Sequence, residues 1–505
     1  MKTYYITTPI YYVNDIPHIG HAYTTLACDV LARFHRLAGY DVKFLTGTDE
    51  HGQKVEKSAI AKGMETQAFT DQVSQSFREL NKKMHFSNDD FIRTTEERHK
   101  DGAKALWQKL VDAGEIYLGK YEGWYSVRDE AFYAESEIVD GKAPTGAPVE
   151  WMEEPSYFFR LSAWQERLLE FYERNPDFIK PESRRNEIIS FVRGGLNDLS
   201  VSRTTCKWGV SVPNDEKHVM YVWLDALSNY ISALGFPDEN YKKYWPADVH
   251  VVGKDIIRFH AVYWPAFLMA AGIECPKVIM SHGWWTNAGE KISKSVGNVI
   301  DPVALVDEFG LDQARWFLMR EVIFGNDGDF SKERMKARIN TELANKIGNL
   351  VQRTLSFVSK LPTSSLLGAV SKEELQIAEL YESDMLKCCV SALDKFKKQM
   401  AHQDISGYLD GVMQLVDEAN MYIDREAPWV LKKTHPEKMA EVLYILLECI
   451  RHIALYLQPV MPDSAAQVLR QLNVTERSFE SVGMSGAMQV GAVINEPTAI
   501  FPRIG

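Results

Sequence analysis

The chain has 505 residues, 45% of them hydrophobic and 25% charged, with a formal net charge of −12. That length suits about three domains with sizeable cores, and the acidity argues against a protein that coats nucleic acid indiscriminately, though not against a grip through local patches. No apolar run is long enough for a membrane helix, Met1-Lys2 leads straight into a strand pattern rather than a signal peptide, and the six cysteines have no C-x-x-C spacing, so a soluble, reduced, cytoplasmic protein is expected.

Tyr4-Tyr5-Ile6-Thr7-Thr8-Pro9-Ile10 is β-branched and aromatic and ends at a proline, which predicts a strand. A turn-rich loop follows to Pro17, and from His18 the pattern becomes helical, with Ala22, Leu26, Val30 and Phe34 on one face and Gly39 as the stop. His18 and His21 share one side of the first turn, where unpaired N–H groups and the helix dipole favour an anion. Gly20 lacks a side chain and would let a base or sugar approach the backbone. Two ordinary helix histidines are the plainer alternative.

Asp41-Val42-Lys43-Phe44-Leu45-Thr46-Gly47 is a second strand, followed by a polar turn and a helix. Residues 1–115 thus alternate strand and helix, an α/β pattern with a Rossmann-like parallel sheet whose ligands sit at the carboxyl ends of the strands. Residues 116–210 interrupt it with Tyr- and Gly-rich text. The pattern resumes over 211–275, with a helix after Val222-Trp223-Leu224-Asp225-Ala226 and a strand and turn at His250-Val251-Val252-Gly253-Lys254-Asp255. A junction over 276–335 carries Lys291-Ile292-Ser293-Lys294-Ser295, whose two ammonium groups could neutralise charge developing in a transition state, or could simply form a solvated loop. Residues 336–505 read as all-α. The stretch 331–360 has a local charge of +5, which suits a nucleic-acid contact or one solvated helix face.

A strand, His-Ile-Gly-His, a distant Lys-x-Ser-Lys-Ser and a trailing helical domain resemble the class I aminoacyl-tRNA synthetases. The remaining text is similar to the methionyl-tRNA synthetase family: Pro9-Ile10-Tyr11-Tyr12, Gly47-Thr48-Asp49-Glu50-His51-Gly52, Val222–Ala226, Gly253-Lys254-Asp255-Ile256 and Ala427-Pro428-Trp429 occur in its order. The resemblance implies a ligase that joins L-methionine to ATP as methionyl-adenylate and then charges initiator and elongator tRNA(Met), with Mg2+ accompanying the nucleotide. By the same resemblance His18, Gly20, His21, Gly253 and Lys294 bind ATP, and His18, His21, Lys291 and Lys294 act in catalysis.

Asp49 is carried over as the partner of the methionine ammonium, with a helix N-cap as its alternative role. Ile10, Tyr12, Trp223, Ala226, Leu227, Tyr230, Ile256, Phe259, His260 and Trp264 match the family's side-chain pocket, although generic reading would assign most of them, Trp264 above all, to the core. The Tyr230 O–H and a His260 N–H are the expected polar readers of the thioether, a weak acceptor. Arg203 and Asp255 match a charged pair bracing the pocket, or form a surface pair. Asn349, Arg353 and Trp429 match the family's readers of the CAU anticodon, by base-edge hydrogen bonds and stacking.

Residues 116–160 contain neither Cys nor His, so the zinc held there in many relatives is not expected. Ile292 stands where methionine is usual in the lysine loop. The chain ends at Gly505 without the appended dimer-forming domain of some relatives, so a monomer is expected. A small nucleotidylyltransferase would not need the helical domain, and isoleucine, valine or leucine synthetases would need a larger editing insertion. A paralogue that binds tRNA without chemistry is opposed by the intact His18, His21, Asp49, Lys291 and Lys294.

Overall fold

Strand Thr3–Thr7 is buried along all but its first residue, so its apolar text is continuous rather than alternating, as a parallel strand covered on both faces requires. It belongs to a seven-stranded sheet in which Tyr11–Tyr12, Asp41–Asp49, Thr3–Thr7, Val249–Gly253, Ile279–His282 and Ile179–Lys180 follow one another, with Asp90–Arg93 paired to Asp41–Asp49. The pairings of Thr3–Thr7 with Val249–Gly253, and of that strand with Ile279–His282, are parallel. Lys180 and Ile179, from within the stretch 116–210, add the last strand beside Met280 and Ile279. The computed structural model describes the chain apart from residues 15, 130, 134, 288, 293–297 and 363–374, and the backbone alone at 121, 131, 132, 154 and 291.

Helix Ile19–Leu37 joins the sheet strands Tyr11–Tyr12 and Asp41–Asp49 and buries Ala22, Leu26, Val30 and Phe34 as its periodicity requires. It gives way at Gly39, whose φ of 84° only glycine adopts without strain. Trp223 does not precede a helix but lies within one, Val222–Leu227, following the antiparallel strand Asp215–Met220. Within 116–210 a long hairpin, Ile116–Ser126 against Glu150–Phe159, forms the centre of a four-stranded antiparallel sheet.

Two compact units result: one comprises Thr3–Cys28 and Val42–Gly283, the other Met1–Lys2, Asp29–Asp41 and Trp284–Gly505. In the second, helix Pro436–Leu457 is buried almost all round from Met439 onward, which explains its lack of a polar stripe. There the fully buried Arg315 donates to Asp29 Oδ2 at 2.6 Å and to the Val460 carbonyl at 2.8 Å. The basic residues of 331–360 find acids elsewhere in the chain: Lys332 pairs with Glu308, Arg338 with Glu321, Lys346 with Asp417 and Arg353 with Asp424. The linear excess of positive charge is therefore largely matched in three dimensions. Among the described residues no helix is long and apolar enough to cross a membrane, and no group of three or more His, Cys, Asp or Glu could hold a metal ion.

Candidate active site

His18 stands immediately before helix Ile19–Leu37, and its Nδ1 accepts the backbone N–H of Gly20 at 3.0 Å. The Nδ1 of His21 accepts the N–H of His18, also at 3.0 Å. A nitrogen that accepts carries no proton, so both imidazoles are fixed as the tautomer with hydrogen on Nε2. The rings lie 3.9 Å apart between centroids, and burial, then the neighbouring His18, holds the His21 pKa well below the usual histidine range. The turn thus offers neutral N–H donors at a helix N-terminus, a setting suited to phosphate oxygens. Gly20 is required for a reason nearer than a ligand: a Cβ there would stand 2.9 Å from Cε1 of His18.

Asp49 is the last residue of its strand, 7% exposed, and pairs in register with Tyr12. It caps no helix; the next one, Gln53–Ala61, begins after Gly52 with no side-chain cap. Trp223 and Phe259 stack at 3.6 Å with an 8° angle between planes, and Tyr230 lies 6.0 Å from Trp264. Ala226 and Leu227 are buried on the Trp223 helix, and Ile10, Ile256 and Phe259 pack against the same core. A π-turn over Phe259–Tyr263 presents Phe259 and His260 together. Trp264 is fully buried behind Tyr230, and among the described residues its indole N–H meets no acceptor.

The polar end of this pocket differs from expectation. His260 Nδ1 donates to the Ile256 carbonyl at 3.0 Å, and burial lowers its pKa to about 4, so the ring is neutral and Nε2 carries no proton. Nε2 therefore accepts from the Tyr230 O–H, 2.7 Å away. Both hydrogens expected to read the thioether are committed to protein acceptors.

Gly253 ends its strand beside His282 in register. Arg203, 6% exposed, donates to Ser200 Oγ at 2.7 Å and lies 4.6 Å from the Tyr221 ring centroid; with Asp255 it lines a cavity of about 840 Å³ shared with Lys254 and Phe259. Lys291 lies opposite Thr286 in a short antiparallel pairing, and Lys294 lies outside the described residues. In the second unit, Asn349 is exposed at the start of helix Asn349–Val358. One turn on, the Arg353 guanidinium lies 5.3 Å from the Trp429 ring and 2.6 Å from Asp424. Trp429 is 45% exposed, at the head of helix Pro428–Thr434.

Sequence reasoning passed over the histidines behind these walls. His282 Nε2 lies 2.8 Å from Thr24 Oγ1 on the first turns of the helix that begins beside His18. His250 stacks on Tyr230 at 4.0 Å. For His282 the signal was its position at a strand's carboxyl end; His250, second in its strand, carried none.

A family model described as "tRNA synthetases class I (M)" matches residues 4–149 and 137–355, and one for the "Anticodon binding domain of methionyl tRNA ligase" matches 377–505. The chain belongs to the methionyl-tRNA synthetase family. It is 62% identical to the methionine–tRNA ligase of Rickettsia bellii over 507 residues, covering 99% of each chain. Mycobacterium tuberculosis methionyl-tRNA synthetase in complex with methionyl-adenylate matches all of both chains with a TM-score of 0.94 at 49% identity. The free form of that synthetase matches with a TM-score of 0.88 at 46% identity, covering 100% of this chain and 99% of the other.

Proposed function

We propose that this chain activates L-methionine with ATP and transfers it to tRNA(Met), as a cytoplasmic monomer. What supports the reading most is that His18 and His21, Asp49 and Phe259 all lie at or just beyond carboxyl ends of strands in one parallel sheet, with Trp223 stacked on Phe259. The methionine carboxylate attacks the α-phosphorus of ATP, a P–O bond forms, and the bond to the β-phosphate breaks to release pyrophosphate. Asp49 takes the ammonium, and the Nε2–H groups of His18 and His21 receive phosphate oxygens. Lys291 and Lys294 neutralise the charge that grows on the leaving group. ATP enters as its magnesium complex, whose cation offsets charge on the phosphates. In the second step a ribose hydroxyl of the terminal adenosine attacks the adenylate carbonyl and AMP leaves.

Asn349, Arg353 and the exposed Trp429 read the anticodon, and replacing Trp429 with alanine should weaken charging by ~1–3 kcal/mol while leaving amino-acid activation intact. Residues 116–160 supply no Cys or His ligand, so zinc is not expected there; elemental analysis showing one zinc per chain would overturn that reading. The deciding experiment is ATP–pyrophosphate exchange with each of the twenty amino acids. Exchange driven by methionine alone is the expected result. Exchange with another amino acid would mean the pocket is misread, and none with any would remove the activation chemistry.

A further inference from the structure

Of Gly47-Thr48-Asp49-Glu50-His51-Gly52 and Val222-Trp223-Leu224-Asp225-Ala226, the proposed reaction uses only Asp49, Trp223 and Ala226. The structure joins the rest. Asp225 is fully buried, its Oδ2 lies 2.7 Å from His51 Nδ1, and its Oδ1 lies 2.6 Å from His99 Nε2. A carboxylate only accepts, so each imidazole donates to it. Those two donors hold its pKa well down against the opposing effect of burial. Behind His99, Ser232 Oγ stands 3.1 Å from Nδ1. Helix Glu97–Asp112 approaches Ser232 so closely that a Cβ on Gly102 would stand 2.5 Å from the Ser232 Cβ.

The other end of the chain of bonds is equally fixed. His51 is two residues beyond Asp49, and the carboxylate of Glu50 between them takes two hydrogen bonds from Arg93, at 2.7 and 2.9 Å. The Glu50 carbonyl accepts from the Trp208 indole at 2.6 Å. The segment bearing Asp49 cannot drift without breaking these bonds. Asp225 itself lies on the helical turn that carries Trp223, Ala226 and Leu227.

We propose that Asp225 is a positioning residue for methionine. By holding His51 on one oxygen and His99 on the other, it sets the distance between the Asp49 carboxylate and the apolar wall of Trp223, Ala226 and Leu227. Methionine must span that distance, with its ammonium at one end and its thioether chain at the other. The inference rests on the proposed function. A buried ion cluster that served stability alone would leave the ligand preferences of the folded protein unchanged.

The test is equilibrium binding to the full chain of methionine, of its des-amino analogue (carboxylate and thioether chain without the ammonium) and of ATP. In Asp225→Asn one oxygen becomes a donor and can no longer accept from its imidazole. Methionine affinity should fall on the order of 10- to 100-fold. Binding of ATP and of the des-amino analogue should change by less than about threefold, because neither has to satisfy both ends at once. The KM for methionine in exchange should rise in parallel. Equal losses for methionine and its analogue, or unchanged methionine affinity, would overturn the proposal. Should Asp225→Asn fail to fold, Ser232→Ala keeps both imidazole–carboxylate bonds and releases only the outer nitrogen of His99. It should show the same selective loss, smaller, and no selectivity there would equally overturn it. Absence of methionine-dependent exchange in the unsubstituted protein would overturn the functional reading and this inference with it. Normal exchange there without selective loss in the variants overturns this inference alone.

Discussion

Two side-chain pairs of this chain, His18 with His21 and His260 with Tyr230, are both built on neutral imidazoles, yet they face ligands in opposite ways. At the helix start, backbone N–H groups occupy Nδ1 of His18 and His21 and leave the proton of each ring on Nε2. In the pocket, His260 spends its proton on the Ile256 carbonyl and takes the Tyr230 proton on its other nitrogen. The first arrangement is built from donors and suits phosphate oxygens. The second has no hydrogen left to give and suits a soft, weakly accepting thioether held by shape. Burial keeps His21 and His260 neutral; the hydrogen-bond partner decides what each can do.

The largest test of that contrast is His21→Ala. Removing a prearranged donor should lower the rate of adenylate formation by ~100- to 1,000-fold with little change in methionine affinity, as single-turnover kinetics would measure. A loss of methionine binding instead would erase the distinction between the two pairs.

Acid titration sharpens it next. The folded pKa of His260, about 4, lies below the ordinary value of 6.5, so between these the unfolded chain binds more protons than the native one. Stability from the neutral ring is therefore fully present above pH 6.5 and is lost as pH falls toward 4, by ~3 kcal/mol in all. Denaturant midpoints at stepped pH should show this slope, and His260→Asn should reduce it by that share, leaving the part due to the other buried histidines such as His452.

Tyr230→Phe removes the O–H and leaves a buried Nε2 without its donor, which should cost ~1–3 kcal/mol of stability. Because that proton is not aimed at the ligand, the KM for methionine should rise less than about fivefold. A much larger rise would show that the hydroxyl turns to the thioether on binding. Gly20→Ala tests the histidine turn through its backbone. The added carbon pushes against the His18 ring, so kcat/KM for ATP should fall about tenfold. Thermal stability should hold or rise, since alanine favours the helix by ~1 kcal/mol.

The histidine turn was legible because every part of it is local: a strand, a loop, a helix start and two residues three apart. The position of Asp49 near a strand's carboxyl end was legible locally, but its role came only from the family resemblance. The pocket was legible only through family resemblance, since its walls come from residues 10, 49, 223–230 and 256–264, whose apolar text reads equally well as core. The local charge of +5 misled in one respect. Most of those basic side chains meet carboxylates far along the chain, such as Arg353 with Asp424.

The sequence by itself determined the parallel sheet and its helices, the placement of His18 and His21 on one turn, and the helical character of the C-terminal part. Those features depend on periodicities of two and 3.6 residues and on turn chemistry, which act over a few positions. Only the tertiary structure decided that Tyr230 donates to His260, that Asp225 joins His51 to His99, and which basic residues are already paired. Each of these depends on partners separated by tens to hundreds of residues, and the burial that makes such contacts strong comes into being only when the chain has folded.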